Sequence, residues 1–308
     1  MKGAGFEPAP TSCRAALLAG QLDARRRACG EHLGTARETL DDPDETEFFA
    51  KLVGRAVKVL GASSVLDVGC GAGRPTLAAA QAGARYVLGI DVVERNVALT
   101  RRAAREAGLT DRVSAHHASF HDLVHGKLTM PRFDLLVSNP PYVPGGEGTA
   151  VDGGASGRAL IDPLLEQAPA LADGVALLFG SLCDPRPVLQ KMLEQGFVIV
   201  EAMSQWVPFG RYTSQPQTLA RLRELRAQGR AFFRDVPSAE HARHAYLTIG
   251  LLAKTGSKTQ ALVNHALMRA ALMCELNGDE PPRKPGHGHC AVEKTTSGNR
   301  SQAESRRS

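Results

Sequence analysis

The sequence predicts an α/β fold: a mostly parallel, seven-stranded sheet covered by helices on both faces, with an antiparallel last strand. Three observations carry this reading. Short apolar runs alternate with amphipathic stretches of helical spacing, the pattern of a buried parallel sheet. The first apolar run passes directly into a glycine-rich turn at Asp67-Val68-Gly69-Cys70-Gly71-Ala72-Gly73. The last two strand candidates bracket a long polar insertion, which sets the final strand apart from the regular alternation.

The elements follow in order. Glu45–Leu60 reads as an amphipathic helix, with Phe48, Phe49, Leu52, Val53, Ala56, Val57 and Leu60 at helical spacing. Strands are expected at Val65–Val68, Tyr86–Asp91, Val113–His117, Phe133–Ser138 and Val175–Gly180, with helices at Thr76–Ala82, Glu94–Ala107 and Ile161–Ala172 between them. A helix at Arg186–Gln195, a strand at Phe197–Met203 and a last strand at His244–Leu252 complete the sheet. The chain divides into a partly helical extension at 1–44, a domain at 45–255 with an insertion at about 208–240, a helix at 256–277 and a disordered tail at 278–308. If the last strand is antiparallel, the insertion falls at the carboxyl edge of the sheet, where open α/β folds bind ligands. It then reads either as a substrate lid or as a surface elaboration.

Composition sets the class. Of 308 residues 43% are hydrophobic and 22% charged, as in a globular protein. The net charge of +5 is concentrated near the ends, around Arg25-Arg26-Arg27 and around Arg300, Arg306 and Arg307. A basic balance favours nucleic-acid partners or marks solvated termini. Six scattered cysteines form no C-x-x-C pair and read as free thiols in a reducing compartment. His287, His289 and Cys290 lack a second ligand pair, so no structural metal site is expected. No apolar run suits a signal peptide or a membrane span, and a cytoplasmic protein is the expectation.

The glycine-rich turn allows close approach of a ligand to the backbone. A G-x-G-x-G pattern alone also suits nicotinamide or flavin cofactors. Here the acidic Asp67 lies inside the strand end, and the second strand ends on Asp91, placed to take ribose hydroxyls. After the third strand, Ser119 and Asp122 are both candidates for an adenine contact, with Asp122 preferred; either can instead cap local structure.

The fourth strand ends in Asn139-Pro140-Pro141-Tyr142. Consecutive prolines fix the backbone and remove two donors. Two acceptors remain, the Asn139 side-chain oxygen and the Pro140 carbonyl, suited to the two hydrogens of an –NH2 group. Tyr142 can pack on the flat face of that group. No general base is apparent.

The turn and Asp91 together resemble motifs I and II of the Rossmann-like methyltransferases dependent on S-adenosylmethionine (SAM). With Asn139-Pro140-Pro141-Tyr142, roughly Asp42 to Met203 resembles the HemK-type family, which methylates the glutamine of the GGQ motif in translation release factors. Glu45-Thr46-Glu47 is similar to that family's P-E-T-E segment. Asp91 with Asn96, Ala98 and Leu99 is similar to its second-strand region, and Asp152-Gly153-Gly154 with Gly157-Arg158 to its G-G-x-x-G stretch.

The resemblance implies SAM as cofactor and S-adenosylhomocysteine as product, bound by Asp67, Gly69, Gly71, Gly73, Asp91, Asp122 and Asn139, with Asp67 facing the amino group. It implies that Asn139, Pro140 and Tyr142 hold a target amide, in a protein substrate such as a release factor. Fewer residues precede the matching region than the helical domain of bacterial relatives needs, and the 208–240 insertion has no counterpart there. Two other enzymatic readings stay open: N-methylation of an exocyclic amine in nucleic acid, supported by Arg211, Arg221, Arg223, Arg226 and Arg230, and of a small metabolite, in a pocket of Trp206, Phe209, Tyr212, Phe232 and Phe233. A non-catalytic SAM-fold subunit is the fourth reading, which retention of Asp67, Asp91 and the Asn139–Tyr142 motif opposes.

Overall fold

The computed structural model describes residues 42–124, 130–146, 149–236 and 244–277. The expectations for the extension ahead of Asp42, for the tail from 278 onward and for the His287/His289/Cys290 group lie outside the described residues. Helix α1, Pro43–Leu60, opens at Asp42, whose carboxylate accepts the Glu45 N–H at 3.0 Å, and closes at Gly61 in the left-handed region. Then β1 (Ser64–Val68), α2 (Arg74–Gln81), β2 (Tyr86–Asp91), α3 (Glu94–Glu106), β3 (Val113–His117), α4 (Phe120–Val124) and β4 (Phe133–Ser138) follow. The second half holds α5 (Ile161–Leu171), β5 (Ala172–Gly180), α6 (Pro185–Glu194), β6 (Phe197–Pro208), α7 (Pro216–Ala227), β7 (Phe233–Asp235), β8 (His244–Thr255) and α8 (Lys258–Asn277).

The sheet order is β3-β2-β1-β4-β5-β8-β6, with β7 also paired to β8. The five strands from β3 to β5 are mutually parallel, and β8 runs antiparallel to both β5 and β6. The order reverses between β1 and β4, which opens a crevice at their carboxyl ends. Both motifs singled out in the sequence leave the sheet at that crevice. Side chains alternate between two cores: in β4, Leu136 joins Ile161, Leu164 and Val188 on one face, whereas Leu135 and Val137 join Phe49, Leu52 and Val53 of α1 on the other. No helix among the described residues is long and apolar enough to cross a membrane.

The parallel strands begin and end within a few residues of their expected bounds, and the last strand is antiparallel as expected. The count differs. An eighth strand, β7, comes from the insertion: Phe233, Arg234 and Asp235 pair with Tyr246, Ala245 and His244. β8 is longer than β5 and projects beyond its carboxyl end, since Gly180 pairs with Thr248. β7 takes up those otherwise unpaired positions on the same side, continuing the line of β5. No apolar alternation in Phe233-Arg234-Asp235 announces this strand; its partner's length creates it. β6 likewise runs five residues past Met203, because β8 pairs with it as far as Pro208.

The outer edge of β6 is closed by α8. Asn264 donates to the Ile199 carbonyl at 2.7 Å and accepts the Ile199 N–H at 2.8 Å, so one side-chain amide stands in for a neighbouring strand. Ser204 adds a hydroxyl bond to Glu275 further along the same edge.

Candidate active site

The turn after β1 is built from glycine for a conformational reason. Gly69, Gly71 and Gly73 have φ of +80°, +54° and +90°, where other L-residues are strained. At Gly73 a Cβ would also come within 2.9 Å of the Thr100 Cα on α3, so the turn and α3 touch backbone to backbone. The Gly69 and Cys70 N–H groups bind the Ile90 carbonyl and fasten the turn to β2.

Asp67 is 1% exposed. Thr76 donates to its Oδ2 at 2.6 Å, while Oδ1 is buried without a hydrogen-bond partner. Burial pushes its pKa up to about 7, opposed by the Thr76 bond and reinforced by the charge of Asp91. A buried acceptor with one unused oxygen suits a cationic donor, and the amino group of SAM is one. Asp91 accepts from the Gly71 N–H at 2.9 Å and the Asn96 amide at 3.2 Å on Oδ2, and from the Val93 N–H at 2.8 Å on Oδ1. Three bonds leave a carboxylate acceptor capacity for a ribose hydroxyl. The acceptors around the turn therefore fit the amino group and ribose of SAM.

Ser119 and Asp122 act on each other. The Ser119 hydroxyl donates to Asp122 Oδ2 at 2.7 Å and accepts the Asp122 N–H at 3.0 Å, an arrangement that caps α4. The capping role left open from the sequence thus describes both side chains.

At the end of β4, Ser138 is fixed by a 2.8 Å bond from its hydroxyl to the Val68 carbonyl, which locks the starts of the two loops together. Asn139 donates its Nδ2 to Glu45 Oε1 at 2.9 Å, and its Oδ1 is buried without a partner. Tyr142 donates to Glu45 Oε2 and lies 3.0 Å from the Tyr246 hydroxyl on β8. One carboxylate, entering from the first turn of α1, therefore holds the first and last residues of Asn139-Pro140-Pro141-Tyr142. Burial holds the Glu45 carboxyl above the usual carboxylate range in spite of these bonds. Burial and the adjacent Glu45 likewise drive the Tyr142 phenol well above its ordinary value. The Tyr142 ring is 5% exposed and pressed so closely on Gly180 that a Cβ there would come within 2.5 Å of it. Pro140 is buried beside it.

The Gly153-Gly154-x-x-Gly157 stretch folds back behind Tyr142. A Cβ on Gly157 would come within 2.5 Å of the Tyr142 carbonyl and of the Cys183 Cβ. The insertion lies on this same loop: Thr218 of α7 bonds the Gly145 carbonyl at 3.1 Å and Arg221 the Ala155 carbonyl at 3.3 Å. Its aromatics are used in packing. The ring of Phe209 lies 5.2 Å from Phe233 and 6.0 Å from Tyr246, while Arg234 covers Trp206 at 3.9 Å. Phe209 and Phe233 are buried against each other, whereas Trp206, Tyr212 and Phe232 are partly exposed.

Two residues at the centre of the site, Glu45 and Tyr246, escaped assignment from the sequence. Glu45 carried a signal, since it begins the Glu45-Thr46-Glu47 segment. Tyr246 carried none, being one aromatic in a buried strand.

Residues 65–144 match a family model described as a methyltransferase domain. A protein from Methanocaldococcus jannaschii named for protein N5-glutamine methylation is 30% identical over 156 residues, 47% of this chain and 76% of that protein. A release factor glutamine methyltransferase from Rhodospirillum rubrum is 35% identical over 166 residues, 48% of this chain and 49% of the relative. A tRNA1(Val) (adenine(37)-N6)-methyltransferase from Yersinia pestis is 37% identical over 94 residues, 30% of this chain and 37% of the relative. The chain thus spans about half the length of the Rhodospirillum protein and less of the Yersinia one. Fold, cofactor turn and these likenesses together define a SAM-dependent methyltransferase. Within that class, the chain belongs to the HemK-type family.

Proposed function

We propose that the enzyme methylates the side-chain amide nitrogen of a protein glutamine. The observation that carries this reading is the unpartnered, buried Asn139 Oδ1 at the carboxyl end of β4. It is an acceptor held in readiness for an N–H donor, beside a cofactor turn whose Asp67 Oδ1 is held ready for a cation. The names of the Methanocaldococcus and Rhodospirillum relatives point to the same acceptor.

When bound, SAM supplies a methyl group on a positively charged sulfur. Asp67 Oδ1 would hold its amino group and Asp91 a ribose hydroxyl. Asn139 Oδ1 and the Pro140 carbonyl take the two hydrogens of the acceptor –NH2, which turns the nitrogen lone pair toward the methyl carbon. Transfer of that methyl group to the nitrogen would leave one surplus proton there, which passes to water. The rate gain comes from holding donor and acceptor in line.

A second reading, transfer to an exocyclic amine in RNA, is favoured by the insertion. Residues 208–236 hold six arginines against Glu224 and Asp235, beside the acceptor loop, and a tRNA adenine methyltransferase is among the relatives. Transfer of tritiated methyl from SAM decides between them, with a release factor bearing an intact GGQ loop, the same factor with that glutamine replaced, and total RNA as acceptors. Label on the intact factor alone is the expected result. Label in RNA and none on the factor overturns the glutamine reading in favour of the second.

A further inference from the structure

We propose that Glu45 is a positioning residue that determines which end of the Asn139 amide meets the acceptor. The inference rests on the reading that Asn139 holds an –NH2 group. An asparagine amide has an accepting end and a donating end of nearly the same shape, and only the accepting end can hold an –NH2. Rotation by half a turn would set two donors face to face.

An ionised carboxylate removes that ambiguity. It has only lone pairs, so the Asn139 –NH2 must face Glu45 Oε1, at 2.9 Å, and Oδ1 must face away. Oδ1 is buried and without a protein partner, so nothing else in the structure fixes its direction. The other oxygen of the same carboxylate accepts from Tyr142 and lies 3.5 Å from the Tyr246 hydroxyl. Both ends of Asn139-Pro140-Pro141-Tyr142 are thereby referred to one rigid point, the third residue of α1. The helix N-terminus there favours a negative charge, which offsets part of the cost of burying it.

The charged and titratable groups facing Glu45 are Asp42 on its own helix, Tyr142 on the loop after β4 and Tyr246 on β8. Asp42 repels its charge, while both phenols stabilise it by hydrogen bonding. Once protonated, Glu45 can donate to Asn139 Oδ1, and the amide is free to present its wrong end. The ionised form is the productive one, so turnover rises with pH as Glu45 loses its proton.

Three measurements on the full chain test this: SAM affinity by calorimetry, kcat and KM against pH for whichever acceptor the wild type methylates, and the side-chain amide NMR signals of Asn139, assigned with Asn139→Asp. In Glu45→Gln, SAM affinity and acceptor KM stay within about threefold, while kcat falls at least about tenfold, since misaimed reactants lose on this order. The acid limb of the kcat profile disappears with it. In the wild type the Asn139 –NH2 signals titrate along that same limb, and Glu45→Gln removes the titration. Unchanged kcat and an unchanged acid limb in Glu45→Gln overturn the proposal. So do Asn139 signals that stay flat with pH in the wild type, a result that needs no variant to fold. The NMR arm needs no acceptor, so it decides the role of Glu45 even where every acceptor stays unlabelled and the glutamine reading fails.

Discussion

The two sides of the crevice are made in different ways. The cofactor side is local: Thr76 reaches Asp67 across 9 residues and Gly71 reaches Asp91 across 20. The acceptor side is assembled from afar, with Glu45 holding Asn139, Tyr142 and Tyr246 across 94, 97 and 201 residues. On the first side backbone conformation does most of the work, through three glycines of positive φ. On the second, side chains do it, through one buried carboxylate. A site made of local backbone geometry tolerates change elsewhere in the chain, whereas one made of distant side chains depends on the whole sheet being in register.

Three substitutions sharpen that contrast. Asn139→Ala should leave the cofactor side intact and disable the acceptor side, with kcat for methyl transfer falling on the order of 10² to 10³-fold and SAM affinity within threefold. Equal loss of both would mean that the sides are not separable. Asp67→Asn should do the reverse and act on SAM binding alone. The wild-type carboxyl has a pKa raised to about 7 in the folded protein, so its ionised form, the one that attracts a cation, gains as pH rises through 7. SAM affinity should therefore weaken by about tenfold per pH unit below 7, and Asp67→Asn should flatten that dependence in a calorimetric titration. The stability of the ligand-free protein should run the opposite way. A carboxyl raised on folding contributes fully below its unfolded value and loses the contribution as pH rises through 7, which thermal melts between pH 5 and 8 read directly. Asn264→Ala touches neither side. It removes two bonds from the β6 edge and should cost about 1 kcal/mol of stability with kcat unchanged. A drop in kcat would show that the acceptor side feels the sheet edge.

What could be read from the sequence follows the same division. The parallel strands, the glycine turn, Asp67, Asp91 and Asn139-Pro140-Pro141-Tyr142 were legible because each is written in consecutive residues whose spacing carries the geometry. Glu45 was visible as part of a segment but not as a member of the site, because nothing in the spacing of 45 and 139 brings them together. β7 was invisible for a related reason: Phe233-Arg234-Asp235 becomes a strand only because β8 outruns β5. The packing of Phe209 on Phe233 was hidden too, because composition carries no record of which aromatics meet. Ser119 and Asp122 remained ambiguous because a capping pair and a ligand contact call for the same residue types.

β8 is hydrogen-bonded to β5, β6 and β7, and it carries Tyr246. During synthesis the chain emerges from its amino end, so the strands that hold the cofactor turn and both motif loops are complete more than a hundred residues before Tyr246 appears. Contacts of such sequence separation form late and slowly. A growing chain can acquire its cofactor-facing half early, while the contacts of Tyr246 with Tyr142 and Glu45 wait for the strand that slots between two others. Completion of the sheet and closure of the polar cluster around Glu45 are then the same event.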